Sequence, residues 1–215
     1  MKYKHIIWDY NGTLLNDVGL CVEIINEMLA ARNISTITLE KYRELFDFPV
    51  KDYYERAGFV FENESFEKIG TEFIIQYDKR SQATKLQSGA FELIKDIANS
   101  GIKQSILSAR KKEQLDEELE KFGIRNYFEY VFGLNNHYAG GKTEIGKELL
   151  KNIALPSDEI ILIGDTTHDC DVANTLGINK LAVSYGHHPA DKFNSCNIDV
   201  LGSVSEVREF ILRGF

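Results

Sequence analysis

Three bulky apolar residues in succession, Ile6-Ile7-Trp8, followed by the abrupt polar turn Asp9-Tyr10-Asn11-Gly12-Thr13, predict a buried strand that ends at a sheet edge. The pattern then becomes helical. Val18, Cys21, Val22, Ile25, Met28 and Leu29 recur at intervals of three and four, with Asn16 or Asp17 placed to cap the helix they predict. A second helix starts at Thr38 and carries Leu39, Tyr42, Leu45 and Phe46 on one side; Pro49 suits the first turn of a third, which Gly58 stops. A fourth carries Phe66, Ile69, Phe73, Ile74 and Tyr77. The stretch from 15 to 84 thus holds helix after helix and no strand.

Beyond it the pattern alternates. Leu93, Ile94, Ile97 and Ala98 form a helical face ending at Gly101, and Ile102 to Leu107 is a strand. A helix through Leu115, Leu119 and Phe122 is stopped by Gly123 and leads to the short strand Tyr130-Val131-Phe132, then to a helix with Ile145, Leu149 and Leu150. The continuous run Ile160-Ile161-Leu162-Ile163 is a buried strand; Val172, Ala173 and Leu176 make a helix up to Gly177, Leu181-Ala182-Val183 a strand, and a last helix follows Ser203. Alternating strands and helices predict an α/β fold, a Rossmann-like parallel sheet with helices on both faces. The all-helical stretch is an insertion in it: a core of 1–15 and 85–215, and a helical cap of 16–84. Short junctions near Leu14 to Asn16 and Thr84 to Gln87 would let such a cap hinge as a lid.

A length of 215 residues suits one core with a small accessory unit. The net charge of -8, without a basic run, argues against nucleic acid as a partner. No apolar run approaches the ~20 residues of a membrane span, so a cytoplasmic protein, monomeric by default, is expected. Cys21, Cys170 and Cys196 are odd in number and far apart in sequence, and are read as reduced thiols rather than a disulfide or zinc framework.

In a parallel sheet ligands bind at the carboxyl ends of the strands. The residues that end the predicted strands are Asp9, Ser108 and Asp165; Lys142 opens a helix after Gly140-Gly141, and Asp169 stands four residues past Asp165. This set suits transfer of a phosphoryl group. Lys142, Ser108 and the amides of the Asn11-Gly12 turn would hold a dianionic phosphate, and Asp9 with Asp165 offers hard oxygen ligands to Mg²⁺.

The motif Asp9-Tyr10-Asn11-Gly12-Thr13-Leu14 resembles the nucleophile motif of the haloacid dehalogenase (HAD) superfamily, whose usual form has Asp at the third position. Ile106-Leu107-Ser108, Gly141-Lys142-Thr143 and Gly164-Asp165-Thr166-Thr167-His168-Asp169 are similar to its other three motifs, in the family's order. The helical insertion resembles the cap of the phosphoglycolate phosphatase-like branch. The resemblance implies a Mg²⁺-dependent phosphatase of a small phosphorylated metabolite. Asp9 would be the phosphorylated nucleophile, Thr13 would position its turn, and Ser108 and Lys142 would hold the phosphate. Asp9, Asp165 and the backbone carbonyl of Asn11 would bind the metal, with Asp169 supporting the metal or Lys142 from behind.

Asn11 departs from the family pattern. The residue at that position gives a proton to the leaving oxygen and later takes one from water; an amide does neither, and general acid-base help is worth ~10² to 10⁴ in rate. Slow or selective hydrolysis is therefore expected. The alternatives are a phosphonate C–P hydrolase using cap Lys51 as a Schiff base and a phosphate-ligand-binding relative without turnover. Arg43, Lys51, Tyr53, Tyr54 and Arg56 of the cap either face the site or form the cap's outer surface, and His168 and Arg110 either touch substrate or face solvent. Asp171 is read as a surface residue, and His187-His188, ahead of Pro189, are given no role.

Overall fold

The computed structural model describes residues 2–134 and 141–213, so Gly140 of the expected glycine pair lies outside the described residues. The chain opens with β1 (His5–Trp8), β2 (Leu15–Asn16), α1 (Val18–Ala30), α2 (Leu39–Leu45), α3 (Val50–Ala57) and α4 (Phe66–Arg80). There follow β3 (Lys85–Leu86), α5 (Ala90–Asn99), β4 (Lys103–Lys111), α6 (Lys112–Lys121), β5 (Tyr130–Leu134) and α7 (Gly141–Ile153). The last elements are β6 (Ile160–Gly164), α8 (Thr167–Leu176), β7 (Asn179–Val183), β8 (Val200–Leu201) and α9 (Val204–Arg213).

Six strands form one parallel sheet in the order β5-β4-β1-β6-β7-β8. Side chains alternate across it, as strand geometry requires. Ile6 and Trp8 point into a cluster with Leu93, Ile97, Leu115 and Val207 beneath α5, α6 and α9, whereas Ile7 joins Leu107, Leu149, Leu162 and Val172 beneath α7 and α8. Both faces are therefore dry, which explains why the central strands read as unbroken apolar runs rather than alternating ones. Two polar side chains that enter this core pair with each other and with the backbone: the Trp8 indole donates to Gln104 Oε1 (3.0 Å), whose own amide donates to the Ile94 carbonyl (2.9 Å).

The helices between β2 and β3 bury a separate cluster, in which Ile24, Ile25 and Leu29 of α1 meet Tyr42, Tyr53, Tyr54 and Ile69. Their starts follow the side chains: Thr38 Oγ1 accepts the Lys41 amide at the head of α2, and Ser65 Oγ accepts the Lys68 amide at the head of α4. Where the chain leaves and re-enters the sheet, β2 and β3 pair antiparallel, Leu15 opposite Leu86, so the stretch from 15 to 84, expected to hold no strand, opens with one too short to show a pattern. No helix among the described residues is long and apolar enough to cross a membrane.

Three local expectations need correction. β4 continues past Leu107 to Lys111 with a register shift against β5, so Ser108 lies within a strand and not after one. β8 adds an edge strand too short to show a pattern. Asp17 precedes α1 without capping it, because its side chain turns the other way, into the site.

Candidate active site

β1 is flanked by β4 and β6, with Trp8 in register with Ile106 and Ile163. Ser108 and Asp165 consequently stand one residue beyond the level of Asp9 at the same edge of the sheet. Thr13 ties two of these chains together: its hydroxyl lies 3.2 Å from Asp9 Oδ2 and 3.1 Å from Asp165 Oδ1. From α7 the buried Lys142 ammonium donates to Asp9 Oδ1 and Asp169 Oδ1. Asp169 is itself fixed, since its Oδ2 accepts from the amide (3.0 Å) and hydroxyl (2.7 Å) of Thr166 in the capping box that starts α8. Ser108 Oγ accepts the Arg110 amide at 3.1 Å, which leaves its own proton to donate.

Asp165 sits in a slot that only glycine leaves open. A Cβ at Gly12, where φ is +74°, or at Gly186 would come within 2.1 Å of Asp165 Oδ2. The same oxygen accepts the His187 amide at 2.6 Å.

Oxygens of Asp9, Asp165 and Asp169 lie within 4.8 Å of one another. Three carboxylates around one ammonium leave negative charge uncompensated. Burial raises Asp9, Lys142 draws it back, and Asp169 and Asp165 push it up again, to about 8. Asp165 rises to about 6, through burial first and despite His187. Asp169 is lowered because Lys142 and Thr166 outweigh its burial. A cluster of hard carboxylate oxygens is the kind of donor set that a divalent cation takes. Both oxygens of each carboxylate already have protein donors: Asp9 has Lys142 and Thr13, Asp165 has Thr13 and the His187 amide, and Asp169 has Lys142 and Thr166.

A second network, which sequence reasoning missed, surrounds Asn11. Its amide donates to Asp17 Oδ2 (2.8 Å) and Tyr77 Oη (2.7 Å), Tyr77 Oη donates to Asp17 Oδ2 (2.7 Å), and Asp17 Oδ1 accepts the Gly12 amide (2.8 Å). His187 Nε2 stands 3.5 Å from Asp17 Oδ1, and its Nδ1 is 2.9 Å from Tyr42 Oη. His187 and His188 are thus not idle loop residues, for the Nδ1 of His188 accepts the Thr167 amide. A weak signal was available, since β7 ends at Val183 and the loop that follows it carries both histidines to the edge where Asp165 follows β6.

These contacts set two histidines apart. Burial disfavours charge on His187, but Asp17, joined by Asp165 and Asp9, raises it to about 9; burial takes His188 down to about 4. In metal-free protein the imidazole nitrogens of His187 should titrate near pH 9 by NMR. A raised pKa means that the contribution of His187 to stability is complete below its ordinary 6.5 and fades as pH rises through about 9. Titration at or below 6.5 would show that Asp17 does not hold the ring.

Of the remaining candidates, Arg110 lines a cavity that reaches Asn11 but is already engaged there: it pairs with Glu118 and Asp78 and lies over the Tyr77 ring. His168 is half-buried against Phe48, ring centroids 4.7 Å apart, and Asp171 is exposed as expected. Arg43 donates to the Tyr185 carbonyl (2.7 Å), and Arg56 to the Leu45 carbonyl. Lys51 is exposed beside Phe61, which removes the desolvation a Schiff-base lysine needs and with it the phosphonate-cleaving alternative. Tyr53 and Tyr54 are buried in the wall of a cavity of about 480 Å³ that reaches Asn11.

A family model described as haloacid dehalogenase-like hydrolase matches residues 6–183. The tyrosine-protein kinase PtkA of Mycobacterium tuberculosis is 24% identical over 209 residues, which cover 95% of this chain and 71% of that protein. The N-acetylmuramic acid 6-phosphate phosphatase of Pseudomonas putida is 23% identical over 207 residues, 94% of this chain and 92% of that one. Among solved structures, a haloacid dehalogenase-like hydrolase from Streptococcus pneumoniae superposes with a TM-score of 0.77 at 18% identity, covering 97% of this chain and 98% of its own.

Proposed function

The chain belongs to the haloacid dehalogenase-like hydrolases, and from that premise we propose that it is a Mg²⁺-dependent phosphatase of a small phosphorylated metabolite, working through an aspartyl-phosphate at Asp9. The observation that carries this reading is the Lys142 ammonium lodged between Asp9 and Asp169 while Thr13 joins Asp9 to Asp165. A relative named N-acetylmuramic acid 6-phosphate phosphatase, matched over 92% of its length, supports a small phosphorylated metabolite as the substrate class. Residues 16–84 are taken as a cap over a core of 1–15 and 85–215, closing the leaving-group side of the site.

In this mechanism a carboxylate oxygen of Asp9 bonds to phosphorus as the ester oxygen departs, and water then attacks the acyl phosphate to release phosphate and restore Asp9. Lys142 neutralises charge on the transferring group, Ser108 donates its hydroxyl proton to a phosphoryl oxygen, and Thr13 fixes the oxygen of Asp9 that does not attack. Asp9, Asp165 and the Asn11 carbonyl would hold Mg²⁺, whose charge would add to that of Lys142 and favour the ionised form of Asp9. Asn11 contributes hydrogen bonds and no proton, so the leaving oxygen departs as an anion or takes its proton from solvent.

The test is a screen of phosphorylated small molecules with Mg²⁺, with chelator, and with chelator followed by excess Mg²⁺. Turnover lost in chelator and regained with the metal is the expected outcome. Turnover that survives chelation overturns the metal dependence, and tight binding of phosphorylated ligands without turnover identifies a binding protein instead.

A further inference from the structure

The cavity beside Asn11 carries more than a phosphate site needs. About 480 Å³ in volume, it lies between the helical insertion and the sheet, and Asn11, Asp17 and His187 form its floor. Asp9 is not in its wall; Asn11, two residues on, is where the cavity meets the motif that bears the nucleophile. The cavity therefore stands on the side from which a leaving group would depart. Its wall is dominated by rings, among them Tyr42, Phe46, Tyr53, Phe73 and Tyr77.

We infer that this cavity receives the leaving group and that the substrate is a phosphate ester of an aromatic alcohol, an aryl phosphate. The inference rests on the phosphatase reading above and adds the chemistry of the ester. Three independent observations support it. Aromatic walls gain most from a flat apolar ring, through offset and edge contacts that an aliphatic chain cannot make. The charged wall residues carry no positive excess: Asp17, Glu67 and Asp78 match Arg110, Lys111 and His187, and Arg110 is already paired, so a second phosphate or a carboxylate finds no vacant cation cluster. The third observation is Asn11 itself. A phenol ionises near pKa ~10, like the tyrosine side chain, whereas an aliphatic alcohol is a far weaker acid, closer to water at ~15.7. A phenolate departs without a proton and an alkoxide does not. The residue that cannot supply a proton and the pocket that fits a ring thus select the same ester.

The test compares kcat/KM for 2-naphthyl phosphate, phenyl phosphate, cyclohexylmethyl phosphate and acetyl phosphate in the presence of Mg²⁺. Acetyl phosphate has a good leaving group and no body to fill the cavity, so it reports the Asp9 chemistry alone. The naphthyl ester should exceed the phenyl ester by about tenfold through ring burial, and the cyclohexylmethyl ester should trail phenyl by at least about a hundredfold for want of an acid. Gly70 lines the cavity and a Cβ there meets nothing within 4 Å, so the side chain of Gly70→Leu starts in open space at the cavity wall. It should lower the naphthyl-to-acetyl preference at least tenfold, mainly through KM. Turnover of acetyl phosphate with no preference for aryl esters, or a preference that Gly70→Leu leaves intact, overturns the inference and spares the phosphatase reading. Failure to turn over acetyl phosphate overturns both.

Discussion

Asp9→Asn should leave a folded protein whose phosphatase turnover has fallen by roughly 10⁴-fold or more, about 5 kcal/mol of transition-state stabilisation at 1.36 kcal/mol per factor of ten. The amide keeps the shape of the carboxylate but has no electron pair of comparable nucleophilicity, and no other carboxylate can take over. Asp165 is locked between Gly12 and Gly186, and both oxygens of Asp169 are engaged by Lys142 and Thr166. The phosphoryl mimic beryllium trifluoride, which bonds to a carboxylate oxygen, should bind the parent and not the variant. Stability should move the other way. In the metal-free parent Asp9 is raised from 3.8 to about 8, so its ionisation costs stability progressively as pH rises between those values. The amide imitates the protonated form and removes that slope, and Lys142 keeps Asp169 as a partner. Thermal melts in chelator should show the variant melting higher than the parent at pH 8 and level with it near pH 4. Retained turnover would end the covalent mechanism, and a lower melting temperature at pH 8 would show that Lys142 depends on Asp9 more than the carboxylates repel.

The parts of the site that could be read in the sequence are those at the carboxyl edge of the sheet, Asp9 and Asp165 directly after β1 and β6 and Ser108 inside β4. An apolar run that stops at a carboxylate is a local signal, and a parallel sheet carries Asp9, Ser108 and Asp165 to one edge whatever lies between them. Asp17 escaped because its position fits a helix cap equally well. Its carbonyl does accept the Cys21 amide in the first turn of α1, while its carboxylate turns back to Gly12, and that choice depends on Tyr77 and His187, which reach it from α4 and from the loop after β7. Such partners leave no spacing to detect. The same holds for the cavity: Tyr53 and Tyr54 fit a solvent-facing or a site-facing cap equally well by periodicity, and only packing against Tyr42, Phe46 and Phe59 turns them inward. β8, two residues long, carries no pattern at all.

Asn11→Asp should raise hydrolysis of alkyl phosphates by ~10² to 10⁴ while changing the first step on aryl and acyl phosphates little, because only the poor leaving oxygen needs a proton. The surroundings of Asn11 favour this result. Its amide donates to Asp17 Oδ2 (2.8 Å), so an aspartate at 11 would place two carboxylates face to face, with the Tyr77 hydroxyl able to serve only one. Like charges so close hold a proton between them at neutral pH, and a protonated carboxyl is what a departing alkoxide requires. The cost is stability, which should fall as pH rises and the shared proton is lost. Exchanging the pair, Asn11→Asp with Asp17→Asn, tests this directly. The amide at 17 would donate to the carboxylate at 11 while its oxygen still accepts from Gly12, so stability should recover towards the parent's. His187 would lose its anionic partner, and the carboxyl at 11, no longer facing a like charge, would ionise at lower pH. The gain on alkyl esters should then extend to higher pH in the single variant than in the exchanged pair. Spontaneous deamidation of the parent should not mimic the effect, since the Gly12 amide is already bound to Asp17 Oδ1 (2.8 Å) and the Leu15 carbonyl (3.0 Å); the intact mass should stay constant through the assay. Equal rates for parent and single variant across leaving groups of different acidity would mean that proton supply at residue 11 does not limit this enzyme.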